Sequence, residues 1–483
     1  MQQFKMLING RLEDSETTIE VINPADESTV ARCPTASVEQ MEQAIKAANQ
    51  AFHDWRQTPI SERRVQLILM ANALRIHKEE LATLLTSEQG KPLDQARAEV
   101  DYAGAFCRTM GDMRLDPSLL IDNNKQRVEL QRQPLGVVAA IMPWNFPLLI
   151  ASYKIAPALL AGNTLILKPA PTTPLTTLKL GEIIQSIFPP GVVNVITDNN
   201  NLGPLLTQHP DIQKISFTGS TQTGKAIMSG AADTLKRLTL ELGGNDAALV
   251  LDDVNVEDVA QDIFNAAFIN SGQVCVAIKR VYVPESLYDR MCDAIATLAS
   301  RAVVGNGMDP TCQFGPVQNR AQFDKICHYL HIAKRDGTII AGGTQPDQPG
   351  FLVPLTVVRD IKDGSPVVDE EPFGPILPIV CYRDLDEVIN TINCSSSGLG
   401  GSVWSSNLPR AESVANRLDT GTVWINQHCA FGPDIPMPAT KESGIGVEWG
   451  QQGLEEFTAL KVINIKRTPT ASQLRQPQTT LRQ

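Results

Sequence analysis

The feature that most constrains this chain is an alternation of short apolar strands with helices, which begins at Gly136 and occurs in two series. In the first series, apolar strands at 137–142 and 164–167 flank a helical stretch at 155–161. The second series runs from about residue 247 to residue 423. Strands that alternate with helices in this way form parallel sheets through right-handed crossovers. The sequence therefore predicts an α/β protein with two doubly wound sheets and a cleft between two domains.

The segments before and between these series have other patterns. Residues 37–110 carry apolar side chains spaced three and four apart, which predicts helices. Residues 127–133 alternate with a period of two, as in a half-exposed strand. The uncharged run 133–153 contains Pro143 and Pro147, which are costly in lipid, so it is interpreted as a core strand followed by a loop and not as a membrane span.

Composition excludes several classes of function. The 483 residues include 42 basic and 53 acidic side chains, a net charge of −11, and a negative surface repels phosphate backbones. Nucleic acid is therefore excluded as a main partner. The nine cysteines have an odd count and no C-x-x-C pair, and the first five residues lack an apolar signal core. These features predict free thiols in the cytoplasm and no membrane partner.

A glycine-rich turn between a strand and a helix is a candidate anion site. Gly219-Ser220-Thr-Gln-Thr-Gly224-Lys225 matches seven positions of a phosphate-binding loop, but Ala226 replaces the hydroxyl residue that holds magnesium. A nucleotide triphosphatase is therefore disfavoured. A free helix N-terminus beside a strand end still suits a pyrophosphate, and a simple tight turn remains the alternative.

One cluster of cysteine and histidine residues contains possible metal ligands. Cys327, His328 and His331 lie on an amphipathic stretch with no fourth ligand nearby. An ordinary helix explains this pattern better than a zinc site does. No metal is expected.

Two further segments could carry chemistry. Cys275 lies three residues after Gly272 in an otherwise apolar stretch, where it is either a nucleophile or a buried structural thiol. Glu241 is enclosed by Leu240 and Leu242 and is followed by a glycine pair. Burial of a lone carboxylate raises its pKa toward the working range of a base.

Six motifs in a fixed order extend this interpretation. They are Pro143-Trp144-Asn145-Phe146-Pro147, Leu167-Lys168-Pro169, Phe217-Thr-Gly219-Ser220-Thr221, Glu241-Leu-Gly-Gly244, Gly272-Gln-Val-Cys275 and Glu370-Glu371-Pro-Phe373-Gly-Pro375. In order and spacing the chain resembles the NAD(P)-dependent aldehyde dehydrogenase superfamily, from residue 7 to about residue 466. An active enzyme is expected, and the alternative is a non-catalytic binding or structural protein on the same scaffold.

The resemblance implies the catalytic residues. Cys275 is similar to the family nucleophile, which attacks the aldehyde to give a thiohemiacetal and then a thioester. The Asn145 amide and the backbone N–H of Cys275 resemble the oxyanion hole. Glu241 resembles the base that activates water, and Glu448 resembles a second glutamate that relays protons in some members.

The resemblance also implies a cofactor site. Lys168 resembles the residue that binds the adenosine ribose, and Trp144, Gly219, Ser220 and Gly224 are expected around the cofactor, the last three near its pyrophosphate. Glu371 and Phe373 are similar to the clamp on the nicotinamide ribose. Many NAD-preferring members have a glutamate three residues after the lysine, where this chain has Pro171. The expected cofactor is therefore NAD or NADP, with NAD slightly favoured.

The expected substrate is a small-molecule aldehyde without charge, either aliphatic or aromatic. By position in the resemblance, the tunnel to Cys275 is lined by Phe146, Leu149, Ile150, Tyr153, Val274 and Val276, and the loop 427–431, with a neutral His428, closes its mouth. The succinate-semialdehyde branch carries an arginine where this chain has Tyr153. An anionic substrate would therefore lose hydration without gaining a cation.

The domain organisation follows from the same resemblance. Residues 1–116 and 135–243 are expected to form a Rossmann-like cofactor domain, and residues 244–443 a catalytic domain. Residues 117–134 and 444–467 are expected to form a small β bridging element that assembles homodimers or homotetramers. Residues 468–483 are expected to be a polar, mobile tail.

Overall fold

The computed structural model describes residues 3–344 and 349–467, so the predicted tail at 468–483 lies outside the described residues. The helices are α1 (Val38–Trp55), α2 (Ile60–Ile76), α3 (Lys78–Gln89), α4 (Leu93–Asp112), α5 (Pro147–Ala161), α6 (Leu175–Ile184), α7 (Gly203–Gln208), α8 (Thr221–Ala231), α9 (Val256–Phe268), α10 (Tyr288–Arg301), α11 (Arg320–Asp336), α12 (Pro366–Asp369), α13 (Leu385–Asn393), α14 (Leu408–Ala415) and α15 (Gly450–Glu455). Short 3-10 helices occur at Ala232–Thr234 and Ile269–Gly272.

The strands lie between these helices in the order that the sequence predicts. They are β1 (Met6–Ile8), β2 (Arg11–Glu13), β3 (Thr17–Ile22), β4 (Thr29–Thr35), β5 (Ser118–Asp122), β6 (Gln126–Pro134), β7 (Val137–Ile141), β8 (Thr164–Lys168), β9 (Val193–Val195), β10 (Ile212–Thr218), β11 (Arg237–Glu241), β12 (Asp246–Val250), β13 (Ile278–Pro284), β14 (Thr338–Ala341), β15 (Thr356–Arg359), β16 (Ile376–Tyr382), β17 (Ser397–Gly398), β18 (Gly400–Trp404), β19 (Thr422–Ile425), β20 (Met437–Pro438), β21 (Thr440–Lys441), β22 (Gly444–Ile445), β23 (Val447–Glu448) and β24 (Thr458–Lys466).

The first large sheet has the strand order β2-β1-β9-β8-β7-β10-β11-β22. Its five central strands, β9-β8-β7-β10-β11, are parallel. At the edges, β1 pairs antiparallel with β9, β2 with β1, and β22 with β11. At the β22 edge, Glu241 pairs with Gly444. The sequence-based division placed residues 444–467 with the bridging strands, whereas Gly444–Ile445 extends this first sheet.

The second large sheet has the order β14-β15-β16-β13-β12-β18-β19, and all its neighbours are parallel except the β14–β15 pair. Along β12, Ala247 and Leu249 pack into one hydrophobic cluster while Ala248 and Val250 pack into another. Because successive side chains of a strand point to opposite faces, both faces of this sheet are covered. The α/β fold with two doubly wound sheets is confirmed.

A third, antiparallel sheet has the order β24-β6-β5. Strands β24 and β6 pair over nine residues, from Thr458 with Pro134 to Lys466 with Gln126. The strand predicted at residues 127–133 therefore pairs with the end segment within one chain. Among the described residues, no helix has the length and apolar character needed to cross a membrane.

Helix α5 differs from its sequence-based interpretation, which assigned a loop up to residue 153 and a helix only from residue 155. The helix begins at Pro147, where a missing N–H costs nothing because the first helical N–H groups have no partner within the helix. Glu99 on α4 accepts the backbone N–H of Leu148 at 3.0 Å and of Leu149 at 3.1 Å. This cap comes from about fifty residues away, so local sequence does not reveal it.

Candidate active site

Cys275 lies on a loop between the 3-10 helix Ile269–Gly272 and β13. Asn270 and Ser271 have φ values of 48° and 56°, and Gly272 has φ 73°. A Cβ on Gly272 would collide with the carbonyl oxygen of Gly374, so only glycine fits there. The left-handed backbone turns the chain sharply and presents Cys275 beyond it.

The loop is clamped by the side chain of Gln273. Its Nε2 donates to the carbonyl oxygens of Asn270 at 3.0 Å and Pro316 at 3.1 Å, and its Oε1 accepts the N–H of Gln318 at 2.8 Å. Three hydrogen bonds to buried backbone groups hold this residue in one position. The backbone next to Cys275 is therefore preorganised.

Burial, with smaller contributions from the carboxylates of Glu371 and Glu241, raises the pKa of the Cys275 thiol to about 12. The Lys279 ammonium lowers this pKa, and its Nζ donates to the carbonyl oxygen of Cys275 at 2.9 Å. Desolvation has the largest effect, so the arrangement without ligand holds a neutral thiol.

Asn145 lies after β7 and is buried. Its side-chain Nδ2 donates to the backbone carbonyl oxygen of Gln273 at 2.9 Å. Its backbone carbonyl oxygen accepts a hydrogen bond from the Lys91 ammonium at 2.9 Å. Lys91 in turn pairs with Glu99 at 2.5 Å, where both side chains are fully buried. The amide of Asn145 is thus fixed to the loop two residues before Cys275, and one of its two N–H groups is left for another acceptor.

Glu241 is the last residue of β11 and is buried. Its Oε1 has no hydrogen-bond partner among the described residues. Burial raises the pKa of Glu241 well above its usual range, the Glu448 carboxylate raises it further, and the Lys154 ammonium lowers it. The elevated pKa that the sequence predicted for this residue is confirmed in direction.

Glu448 lies behind Glu241 in a buried ion pair. Its Oε1 accepts Lys154 Nζ at 2.7 Å and Ser216 Oγ at 3.3 Å. Lys154 also donates to Ser216 Oγ at 2.9 Å. Sequence reasoning did not select Lys154, although a lysine directly after a long uncharged stretch was the available signal.

The residues expected to line a substrate tunnel lie close together. Val274 and Val276 form a hydrophobic cluster that also contacts Phe146, Cys275 and Trp449. Aromatic rings continue from it: Tyr153 and Trp449 have centroids 5.5 Å apart, and Phe431 and Trp449 5.1 Å apart.

Two other residues from the same set lie on α5. Ile150 is buried, and Leu149 is half-buried and packs on the core of the first sheet. Burial raises the pKa of Tyr153 well above its usual range, so its phenol is neutral at physiological pH.

His428 occupies a different place from the one expected. Its Nε2 lies 2.7 Å from the carbonyl oxygen of Val276, and its side chain has no exposed surface. Burial lowers the pKa of His428 to about 3, so the ring is neutral at pH 7, as predicted. The buried ring therefore contacts the loop directly after Cys275 and is not exposed at the entrance of the predicted tunnel.

The glycine-rich turn has the geometry of an anion site. Ser220 caps α8, accepting the N–H of Thr223 through its side chain at 3.3 Å. A Cβ on Gly219 would collide with the Phe217 ring, and one on Gly224 with Leu242. These glycines therefore let the turn and α8 pack closely on the sheet. The N-terminus of α8 beside the end of β10 fits the pyrophosphate of a dinucleotide.

Glu371 and Phe373 lie beside the catalytic loop. Glu371 Oε1 accepts the N–H of Gly244 at 3.3 Å and lies 3.4 Å from Lys279 Nζ. Phe373 has φ 55°, and its ring meets Trp144 edge-on at 5.3 Å. These three side chains could hold the nicotinamide end of the cofactor next to Cys275.

Lys168 ends β8 and is buried. Its Nζ lies 2.6 Å from Asp198 Oδ1 and 3.1 Å from Asn200 Oδ1. Sequence reasoning considered Lys168 without Asp198, because the two are thirty residues apart. The ammonium that could bind the adenosine ribose is therefore already paired.

Comparisons with known proteins agree with this architecture. The model of the aldehyde dehydrogenase family matches residues 12–463. A phenylacetaldehyde dehydrogenase of Pseudomonas fluorescens is 38% identical over 480 residues, covering 95% of each chain. The betaine aldehyde dehydrogenase of Staphylococcus aureus in complex with NAD+ gives a TM-score of 0.93 at 33% identity, covering 97% of this chain and 96% of that one. An NADP-dependent enzyme from E. coli gives a TM-score of 0.93 at 33% identity, covering 96% and 98%.

The fold and these similarities define the class of protein as an NAD(P)-dependent oxidoreductase, so the enzyme interpretation is confirmed. Within that class, the chain belongs to the aldehyde dehydrogenase family. The general reaction of the family is the oxidation of an aldehyde to a carboxylic acid.

Proposed function

We propose that this enzyme oxidises an uncharged aliphatic or aromatic aldehyde to its acid through Cys275, with NAD or NADP as the oxidant. The observation that carries the proposal is the convergence at one loop of three groups. Asn145 donates a hydrogen bond to Gln273, two residues before Cys275. The Glu241 carboxyl, whose Oε1 has no hydrogen-bond partner among the described residues, raises the pKa of the same thiol. A nucleophile, an oxyanion donor and a base are the parts that acyl chemistry at an aldehyde requires.

Cys275 begins the reaction. The thiol proton passes to water, the sulfur forms a bond to the carbonyl carbon, and the carbonyl π bond breaks so that the oxygen becomes the oxyanion of a thiohemiacetal. The free N–H of Asn145 and the backbone N–H of Cys275 then donate to that oxyanion. Both donors are fixed before the aldehyde arrives, so little reorganisation is needed. The nicotinamide cofactor, when bound, accepts the hydride that leaves the carbon.

Glu241 completes the cycle by hydrolysing the thioester. Its carboxylate takes a proton from water, the water oxygen bonds to the acyl carbon, the carbon–sulfur bond breaks, and Cys275 is released. Because the pKa of Glu241 is raised, its carboxylate is a stronger base than an exposed glutamate. Lys154 and Glu448 adjust this basicity in opposite directions.

The residues that would hold the cofactor form a continuous set from Lys168 through the Gly219–Gly224 turn to Glu371 and Phe373. The N-terminus of α8, which begins beside the end of β10, supports this assignment. The S. aureus enzyme is in complex with NAD+ and the E. coli enzyme is NADP-dependent, and we favour NAD here.

The substrate class is supported by the walls around Cys275. Val274, Val276, Phe146 and the rings of Tyr153 and Trp449 are apolar or neutral. Each buried methylene of a substrate would contribute about 0.8 kcal/mol, whereas an ionised group would lose hydration. The name of the phenylacetaldehyde dehydrogenase relative is consistent with an aromatic substrate.

Isosteric aldehydes test the charge preference directly. We expect kcat/KM for 4-methylpentanal to exceed that for succinic semialdehyde, which has a carboxylate in place of its isopropyl group, by about tenfold or more, or about 1.4 kcal/mol. We also expect 3,3-dimethylbutanal to exceed betaine aldehyde, its quaternary ammonium isostere. Because aromatic rings also attract cations, the second pair is the more demanding test. A higher kcat/KM for the charged aldehyde in either pair contradicts the proposal of an uncharged substrate.

We also propose a cytoplasmic homodimer or homotetramer. The third sheet exposes apolar side chains on two of its strands, including Leu119 and Leu120 on β5 and Leu460 and Val462 on β24. Such a patch at a sheet edge is suited to a second copy of the chain. Light scattering coupled to gel filtration tests this, and a monomer at micromolar concentration contradicts it.

A further inference from the structure

The adenosine end of the proposed cofactor site contains a charge pair that the family resemblance did not reveal. Lys168 directly follows the last β8 residue that pairs with β9, and Asp198 lies three residues beyond the end of β9. Parallel neighbours bring these two chain ends together. The Lys168 and Asp198 side chains are 4% and 0% exposed, and their charged atoms are 2.6 Å apart.

The pair is held rigidly. Asp198 Oδ2 accepts the N–H of Leu202 at 2.9 Å, just before α7. Asn200 adopts φ 61° and brings its Oδ1 to 3.1 Å from Lys168 Nζ. The carboxylate and the ammonium therefore cannot separate without breaking contacts on both sides.

The consequence concerns charge at the ribose. A 2′-phosphate requires an uncompensated cation, since its recognition depends on charged donors. The segments on both sides of the pair, residues 169–174 and 198–208, contain no lysine or arginine. Lys179, further along α6, is paired with Glu80 at 2.8 Å and Glu182 at 3.1 Å. Position 171 has no carboxylate, but the Asp198 carboxylate, which pairs with Lys168, also places negative charge near the expected ribose site.

We propose that Asp198 makes this enzyme selective for NAD over NADP by neutralising Lys168. This inference rests on the proposed cofactor site. Lys168 remains a hydrogen-bond donor to ribose hydroxyls, while its charge is cancelled by Asp198 and does not attract a 2′-phosphate. Asp198 is a positioning residue, because it acts through Lys168 and has no exposed surface of its own.

The test is direct binding of NAD and NADP, without aldehyde, measured by isothermal titration calorimetry. Wild-type protein is expected to bind NAD at least about tenfold more tightly than NADP. Asp198→Asn keeps the shape and an acceptor for Lys168 but removes the charge, so NADP binding should tighten by about tenfold while NAD binding changes little. Equal weakening of both cofactors would indicate a structural role and would overturn the inference.

Matched variants separate the possible failures. Asp233→Asn removes an exposed carboxylate elsewhere in the first domain and should leave the cofactor ratio unchanged. Pro171→Glu, added to Asp198→Asn, should restore the preference for NAD by returning a carboxylate to the ribose. If Asp198→Asn does not fold, the same ratio is measured with Asp198→Ser, which is also neutral.

Lys168→Met distinguishes this inference from the proposed function. It should weaken both cofactors. If it does so while Asp198→Asn leaves the ratio unchanged, the cofactor site stands and the role of Asp198 is overturned. If Lys168→Met has no effect on either cofactor, the placement of the site itself is wrong. Wild-type binding of NADP as tight as that of NAD also overturns the selectivity.

Discussion

The two ends of the proposed cofactor cleft differ in whether their buried ionisable groups form ion pairs. At the adenosine end, the Lys168 ammonium and the Asp198 carboxylate form an ion pair with charged atoms 2.6 Å apart. At the catalytic end, one oxygen of the Glu241 carboxyl has no hydrogen-bond partner in the described part of the chain, and Cys275 is a neutral thiol. Paired charges have a fixed state, whereas desolvated groups without partners have raised pKa values and change state during a reaction. The contrast suggests that one end selects a ligand and the other performs proton transfers.

The largest effect is expected from removal of the titrating thiol. Cys275→Ala should reduce aldehyde oxidation by on the order of 10⁴-fold or more, because no covalent adduct can form. Calorimetry should show unchanged NAD binding, since the adenosine end is intact. Cys394→Ala, at an exposed thiol elsewhere, is the control and should retain wild-type rates. Substantial turnover by Cys275→Ala would remove the thiol from the mechanism.

A smaller effect is expected from the base. Glu241→Gln should slow thioester hydrolysis by roughly 10²–10⁴-fold, because the amide cannot take a proton from water. Rapid mixing should record a burst of reduced cofactor of about one equivalent per site, followed by slow turnover. The exposed Glu285→Gln serves as the control for loss of one carboxylate. Equal slowing of the burst and the steady state would exclude Glu241 from hydrolysis. Restoration of turnover by coenzyme A would indicate a different acyl acceptor.

The smallest effect should come from the Lys154–Glu448 pair, which resembles the adenosine end but lies beside the titrating end. The Glu448 carboxylate raises the pKa of Glu241 and Lys154 lowers it. Hydrolysis depends on the Glu241 carboxylate, so its rate rises as pH increases through this pKa. Glu448→Gln should therefore move the acidic limb of the hydrolysis profile to lower pH, and Lys154→Met should move it to higher pH.

Stability is checked alongside these pH profiles. Breaking a buried pair by removing one partner costs about 3–5 kcal/mol, so thermal unfolding must show that each variant is folded at the assay temperature. The double variant, which removes both charges, should lie between the two single variants in pH dependence. A shift of both single variants in the same direction would mean that the pair acts through structure and not through charge.

Much of the fold was predictable because its signals are local. The strand predicted at residues 164–167 is β8, Thr164–Lys168, because a short apolar run between turns forms a buried strand in most contexts. Helix α5 was predicted too short, because its start depends on Glu99, a residue on another helix. His428 was expected at the tunnel mouth and instead supports the loop after Cys275. Local patterns cannot indicate a cap or a contact from a distant segment.

The sequence by itself determined the alternation of strands and helices and the six motifs. These depend on neighbours within a few residues, for which side-chain periodicity is sufficient information. Only the tertiary structure decided which charges are paired. Lys168 with Asp198 and Lys154 with Glu448 are separated by 30 and 294 residues. Coulomb interactions depend on distance in space, so the division of this cleft into a paired end and a titrating end is a property of the fold.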